Sequence, residues 1–270
     1  MSTLGTTAGS TPGHDDLRLA LRLADAADEI TTRRFLATDL RVEDKPDRTP
    51  VTDADVAVED RVRELLAGHS GEDVVGEERG GTVRDGRCWL VDPIDGTKNF
   101  SRGVPVWASL IALLVDGVPR LGVVSAPALH RRWWAASGAG AWTSVDGGEP
   151  RPITVSGVGE LADAYVSTTD QETWVARGIR ERYLRLADQC LVSRAFGDFW
   201  QHCLVAEGAI DLAVEAEVSP WDVAALQVLV TEAGGTFTDL SGAPRHDGGS
   251  ALSSNGRLHD AALGLLRAEG

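Results

Sequence analysis

The chain has 270 residues, 43% of them hydrophobic, and a formal charge of −15, which suits a folded protein of one to two domains with a large core. That charge disfavours nucleic acid as a partner, and no run reaches the ~18 apolar residues of a membrane span. Cys88, Cys190 and Cys203 are too scattered for a disulfide framework or a zinc cluster, and there is no basic-then-apolar leader, so a cytoplasmic protein with reduced thiols is expected.

Residues 1–13, rich in Ser, Thr, Gly and Pro, read as a disordered tail. From Asp15 to about Leu36 the stripe of Leu17, Leu21 and Ala24, widened by Leu23, Ala27 and Ile30, predicts a long amphipathic helix. Residues 40–52 read as a charged loop exposing Lys45, Asp47, Arg48 and Thr49. A second helix follows a capping-box pattern at Thr52–Asp55 and turns Val58, Val62, Leu65 and Leu66 inward.

Trp89-Leu90-Val91 then run into Asp92, and Pro93, which cannot donate to a ladder, should end that strand. Ala108–Val115 with Leu121–Ser125, and Arg132–Ala136 with Ala141–Thr143, predict two antiparallel hairpins. Beyond Gly148 come a strand near Ala164–Ser167, a helix from about Trp174 to Leu186, and a strand at Leu191–Arg194. After them come a helix at Asp198–Glu207 and an alternating strand through Ile210, Leu212 and Val214. Two helices close the chain, one opening at Ser219-Pro220-Trp221-Asp222 and one from about Leu258 to Arg267. Helices, then a meander, then alternating units indicate a layered α+β protein with an N-terminal lobe, 14–150, and a C-terminal lobe, 151–270.

The candidate chemistry sits at element ends. Asp92 and Asp95 flank the end of an apolar strand, Gly96 and Thr97 form a turn whose N–H groups favour a phosphate, and Glu77 ends another apolar run. Such carboxylates suit a hard divalent cation bridging protein and phosphate ester, through which a small phosphate is compatible with the negative charge; the alternative is a turn whose aspartates simply bond backbone N–H groups. Asp222 taken alone reads as the acidic half of a capping box with Ser219, and Asp55 is equally ambiguous.

Taken together, Asp92-Pro93-Ile94-Asp95-Gly96-Thr97-Lys98-Asn99-Phe100, Trp221-Asp222-Val223-Ala224-Ala225 and the upstream Gly76-Glu77-Glu78 closely resemble the inositol monophosphatase family of magnesium-dependent phosphomonoesterases. The resemblance runs from residue 15 to 268. It implies the α/β/α/β/α sandwich shared with fructose-1,6-bisphosphatases, a homodimer, and two or three Mg2+ per site held by Glu77, Asp92, Asp95, Asp222 and the carbonyl of Ile94. Asp55 and Thr97, with Glu77, would activate the attacking water, and the Gly96 and Thr97 amides would hold the phosphate of a small-molecule ester.

Substrate choice belongs to the leaving-group side. Arg194 precedes Gly197-Asp198-Phe199-Trp200, and Glu215 ends the alternating strand; Asp198 and Glu215 make an acidic pocket suited to an amine and an imidazole. With Arg102-Gly103-Val104-Pro105-Val106-Trp107-Ala108, this segment resembles the branch of the family that hydrolyses L-histidinol phosphate. Asp198 reads otherwise as a helix cap. An inositol-1-phosphate phosphatase is the alternative within the family. A silent scaffold would lack a metal ligand, and none is missing.

Overall fold

A computed structural model describes residues 13–46, 49–69 and 72–267. The tail expected at residues 1–13 falls outside these except for Gly13, as do Asp47 and Arg48. Helix α1 (His14–Arg34) buries Leu19, Ala20, Leu23, Ala24 and Ala27 at helical spacing, with Leu17, Leu21 and Ile30 at the rim of that stripe. Residues 40–52 are not a plain loop. They form a hairpin of β1 (Val42–Asp44) and β2 (Pro50–Thr52), in which Lys45 and Thr49 are half-buried rather than exposed. Helix α2 (Asp53–His69) opens as the Thr52–Asp55 pattern suggested, the Asp55 carboxylate accepting from the Thr52 N–H at 2.8 Å and the Thr52 hydroxyl from the Ala54 N–H at 3.2 Å.

The meander forms a seven-stranded sheet in chain order: β3 (Asp73–Gly76), β4 (Arg87–Asp95), β5 (Ala108–Val115), β6 (Val118–Ala126), β7 (Arg131–Ala136), β8 (Ala141–Val145) and β9 (Arg151–Ile153). The short helix α3 (Thr97–Ser101) follows β4. Every residue of β5 is buried because the sheet is covered on both faces. The period of two sends Trp89, Val91, Ile111 and Leu113 toward α1 and α2, and Leu90, Leu110, Ala112 and Leu114 the other way.

A five-stranded sheet, order β11-β10-β12-β14-β13, comes from β10 (Tyr165–Ser167), β11 (Val192–Arg194), β12 (Leu212–Glu215), β13 (Thr236–Thr238) and β14 (Ala251–Ser254). The helix expected from Trp174 to Leu186 is two, α4 (Glu172–Ala176) and α5 (Arg180–Gln189), because the Ile179 N–H bonds the Trp174 carbonyl and ends the first. Helices α6 (Asp198–Ala206) and α7 (Pro220–Glu232) lie between the sheets, sharing one core with Leu110 and Val124 of the first and Ala213 and Phe237 of the second. Helix α8 (His259–Arg267) packs with α4 and α5 on the outer face of the smaller sheet. The layers are α, β, α, β, α, the expected sandwich. Gly122 lets α7 lie directly on β6: a Cβ there would sit 2.5 Å from the Ala225 carbonyl oxygen. Among the described residues no helix is long and apolar enough to cross a membrane, and the three cysteines are free.

Candidate active site

Strand β4 does not stop at Asp92. It continues through Pro93 to Asp95, with Asp92 opposite Leu110 and Asp95 opposite Ala108, so three steps along β4 match two along β5. This bulge tolerates the proline, and β3 has already ended its pairing at Val91, leaving one side of β4 open. It also has a chemical consequence. Residues three apart on a regular strand face opposite ways, whereas the extra residue brings the Asp92 and Asp95 carboxylates to the same side.

The first turn of α7 brings Asp222 to meet them. One oxygen each from Asp92, Asp95 and Asp222 lie within 4.8 Å of one another. Asp222 is also the acidic half of a capping box with Ser219, as its sequence suggested: its Oδ2 accepts from the Ser219 N–H at 2.7 Å. Among the described residues no basic side chain pairs with these three. Burial, followed by the neighbouring Glu77, raises Asp92; burial, then Asp198 and Asp222, raises Asp95; burial takes Asp222 to about 8. An oxygen-only cluster short of positive charge fits a hard divalent cation.

Glu77 borders the same cleft, of about 500 Å3. Its segment is set by Glu59, a fully buried α2 residue whose carboxylate accepts from the Glu78 N–H at 2.7 Å and the Arg79 N–H at 3.1 Å. Gly76 makes room for that carboxylate, since a Cβ would lie 2.3 Å from it. The Lys45 ammonium stands 2.6 Å from Glu77 and 2.8 Å from Glu78. Burial works against that charge, but the bonds to both glutamates outweigh it and hold Lys45 above its usual range. Sequence reasoning missed this ion pair, as it missed Glu59.

Thr97 links the cleft to Asp55. Its hydroxyl lies 2.8 Å from the Ile94 carbonyl and 3.2 Å from Asp55 Oδ1, and burial raises Asp55 to about 7. Gly96 precedes α3 and lines the cleft with Ile94 and Thr97.

On the α6 and β12 side, Asp198 and Glu215 both line the cleft. Asp198 is the first residue of α6 rather than its cap, with a left-handed φ of 47°, and its Oδ2 accepts from Asn99 Nδ2 at 3.1 Å. Burial, then the charge of Glu215, raises it to about 7. The Glu215 carboxylate accepts from Thr169, Gln201 and His202, none of which the sequence had marked. Arg194 is not brought in. It is exposed on edge strand β11, outside the cleft lining, and bonds the carbonyl of Ser193. A two-sided cleft results, with one acidic cluster beside a hydroxyl–carboxylate pair and a second acidic pair beyond it.

Known proteins are similar to this chain in sequence and in architecture. The model of the inositol monophosphatase family matches residues 14–269. The histidinol-phosphatase of Mycobacterium tuberculosis is 59% identical over 257 residues, covering 94% of this chain and 99% of that protein. The histidinol-phosphatase of Streptomyces coelicolor is 50% identical over 257 residues, covering 93% and 97%. Among solved structures, an inositol monophosphatase of Thermotoga maritima superposes with a TM-score of 0.82 at 29% identity, covering 93% of this chain and 96% of its own. Motifs, layer order and these matches agree, and the chain belongs to the inositol monophosphatase family.

Proposed function

We propose that this protein is a divalent-metal-dependent phosphoric monoester hydrolase that converts L-histidinol phosphate to L-histidinol and phosphate. The observation that carries the substrate reading is the second acidic pair. Asp198 and Glu215 line the same cleft, and the charge of Glu215 adds to burial in raising Asp198. A neutral polyol can give two carboxylates hydrogen bonds but no positive charge, whereas histidinol brings an ammonium and an imidazole. The two histidinol-phosphatases that match nearly end to end support the same choice.

Glu77, Asp92, Asp95, Asp222 and the Ile94 carbonyl would hold Mg2+, an ion that prefers such oxygens. Bound there, it supplies phosphate neutralisation and a lowered pKa for water. The side chains do the rest. The Thr97 hydroxyl takes up a water's proton as it passes its own to Asp55, 3.2 Å away, a carboxylate that burial has brought to about 7. The Gly96 and Thr97 amides orient the phosphate, and Asp198 with Glu215 binds the leaving alcohol. A homodimer, a cytoplasmic location and two or three ions per site complete the proposal. They are decided by light scattering, cell fractionation and metal analysis.

The test is a substrate panel with Mg2+: histidinol phosphate, inositol 1-phosphate and p-nitrophenyl phosphate. Histidinol phosphate should show the highest kcat/KM. In Asp198→Asn and Glu215→Gln its advantage over the aryl phosphate should shrink about 10- to 100-fold, the worth of one charge-assisted hydrogen bond. Equal losses on both substrates would remove these residues from the substrate site, and a preference for inositol 1-phosphate would replace the substrate.

A further inference from the structure

The acidic pair is built on a buried donor network that the reaction itself does not use. Three donors converge on one oxygen, Glu215 Oε1: the Thr169 hydroxyl at 2.9 Å, Gln201 Nε2 at 2.5 Å and His202 Nε2 at 3.2 Å. None of the described hydrogen bonds uses the other oxygen, Oε2. Gln201 and His202 are fully buried, and His202 is braced from behind by the Ser253 hydroxyl, 2.7 Å from its Nδ1. Thr169 serves both acids. Its Oγ1 accepts from the Asp198 backbone N–H at 2.9 Å while its proton goes to Glu215.

Such saturation has a physical consequence. A carboxylate held at one oxygen by three protein donors cannot swing, and can offer a ligand only its second oxygen. The left-handed backbone at Asp198 is likewise secured by the bond that its amide makes to Thr169.

We infer that Thr169, Gln201 and His202 are positioning residues for substrate selection, fixing Asp198 and Glu215 as a unit that accepts a cationic alcohol and disfavours a neutral one. This inference rests on the proposed substrate. It assigns the selectivity not to the two acids alone but to the network that orients them. Thr169 is the node, because its single hydroxyl joins both.

Thr169→Val keeps shape and removes the hydroxyl, while Thr169→Ser keeps the hydroxyl. In Thr169→Val the ratio of kcat/KM for histidinol phosphate to that for p-nitrophenyl phosphate should fall about tenfold, mainly through KM, the cost of one lost hydrogen bond to a charged group. Thr169→Ser should restore most of the ratio. Gln201→Met, isosteric and without a donor, should shift it the same way and serves where the valine variant does not fold. A ratio unchanged in Thr169→Val or Gln201→Met, or lost as fully in Thr169→Ser, overturns the inference while the substrate assignment stands. A wild-type enzyme with no preference for histidinol phosphate overturns both, so the two failures are told apart before any variant is made.

Discussion

Stripping the divalent cations from this protein should make its stability fall as pH rises. The Asp92, Asp95 and Asp222 oxygens lie within 4.8 Å of one another, so each ionised pair repels by about 3.5 kcal/mol at an effective dielectric of about 20. Without a cation, folding therefore keeps protons on this cluster. Asp222 moves from its ordinary 3.8 to about 8 through burial, and Asp92 and Asp95 move the same way. The sign follows from linkage. A carboxyl whose folded pKa is raised favours folding at low pH, and that contribution is lost as pH climbs from about 4 through about 8. Between pH 6 and pH 8, Asp222 alone costs about 2 kcal/mol, or a melting shift of about 5 °C for a chain of this size. Burial lowers His246 and His259, which add stability in the opposite sense as pH rises through about 6.5. That contribution is common to stripped and loaded protein. The measurement is the melting gain on adding Mg2+ to chelator-treated protein at both pH values, a difference in which the histidines cancel. The gain should be larger at pH 8; an equal gain, or a larger one at pH 6, would refute the reading of these carboxylates as a cation site.

Two further perturbations probe the link to chemistry and the frame that holds it. Thr97→Val removes the hydroxyl between the Ile94 carbonyl and Asp55 and should lower kcat on p-nitrophenyl phosphate by about 100-fold or more, with KM and melting temperature little changed; retained turnover would take Thr97 and Asp55 out of the proton path. Gly122→Ala places a Cβ 2.5 Å from the Ala225 carbonyl oxygen, so α7 must shift. Urea denaturation should show a loss of about 1–3 kcal/mol, and because α7 carries Asp222 the Mg2+-dependent gain should shrink with it; wild-type stability would contradict the close packing.

What could be read from the residues divides by the range of the interactions involved. Helix α1 and the hairpins of the large sheet follow from local periodicity, α7 from its Ser219-Pro220 start, and the three motifs single out Glu77, Asp92, Asp95 and Asp222 before any fold is known. Strand β14 was missed because two of its four residues are serines, an unpromising strand pattern. Its stability comes from partners far away: it pairs with β12, and Ser253 bonds the buried His202. The β1–β2 hairpin and Lys45 were taken for exposed loop for the same reason, since the glutamates that hold the ammonium are more than thirty residues away. Pro93 misled in a different way. The rule that proline ends a strand overlooked the bulge that accommodates it. Arg194 was included for its place in the sequence beside Asp198, but it lies exposed on edge strand β11 and bonds the Ser193 carbonyl.

One short segment ties the two ends of the cleft together. The left-handed residues Gly197 and Asp198 turn the chain so that the Phe199 N–H donates to Asp95 Oδ2 at 2.6 Å, while Asp198 Oδ2 accepts from Asn99. The first turn of α6 thus presents an amide to one member of the cation cluster and a carboxylate to the proposed leaving-group side. The amide acts in the direction expected of a helix start, opposing the burial that raises Asp95. Asp198 and Glu215 in turn raise Asp95 through space. A cationic leaving group seated between Asp198 and Glu215 would offset the charge of those two acids, while the phosphate it carries would meet the cation cluster. The bulge in β4, the cap of α7 and the kink before α6 are separate local solutions to separate backbone problems. Their common result is that carboxylates distant in sequence share one cleft and one electrostatic balance.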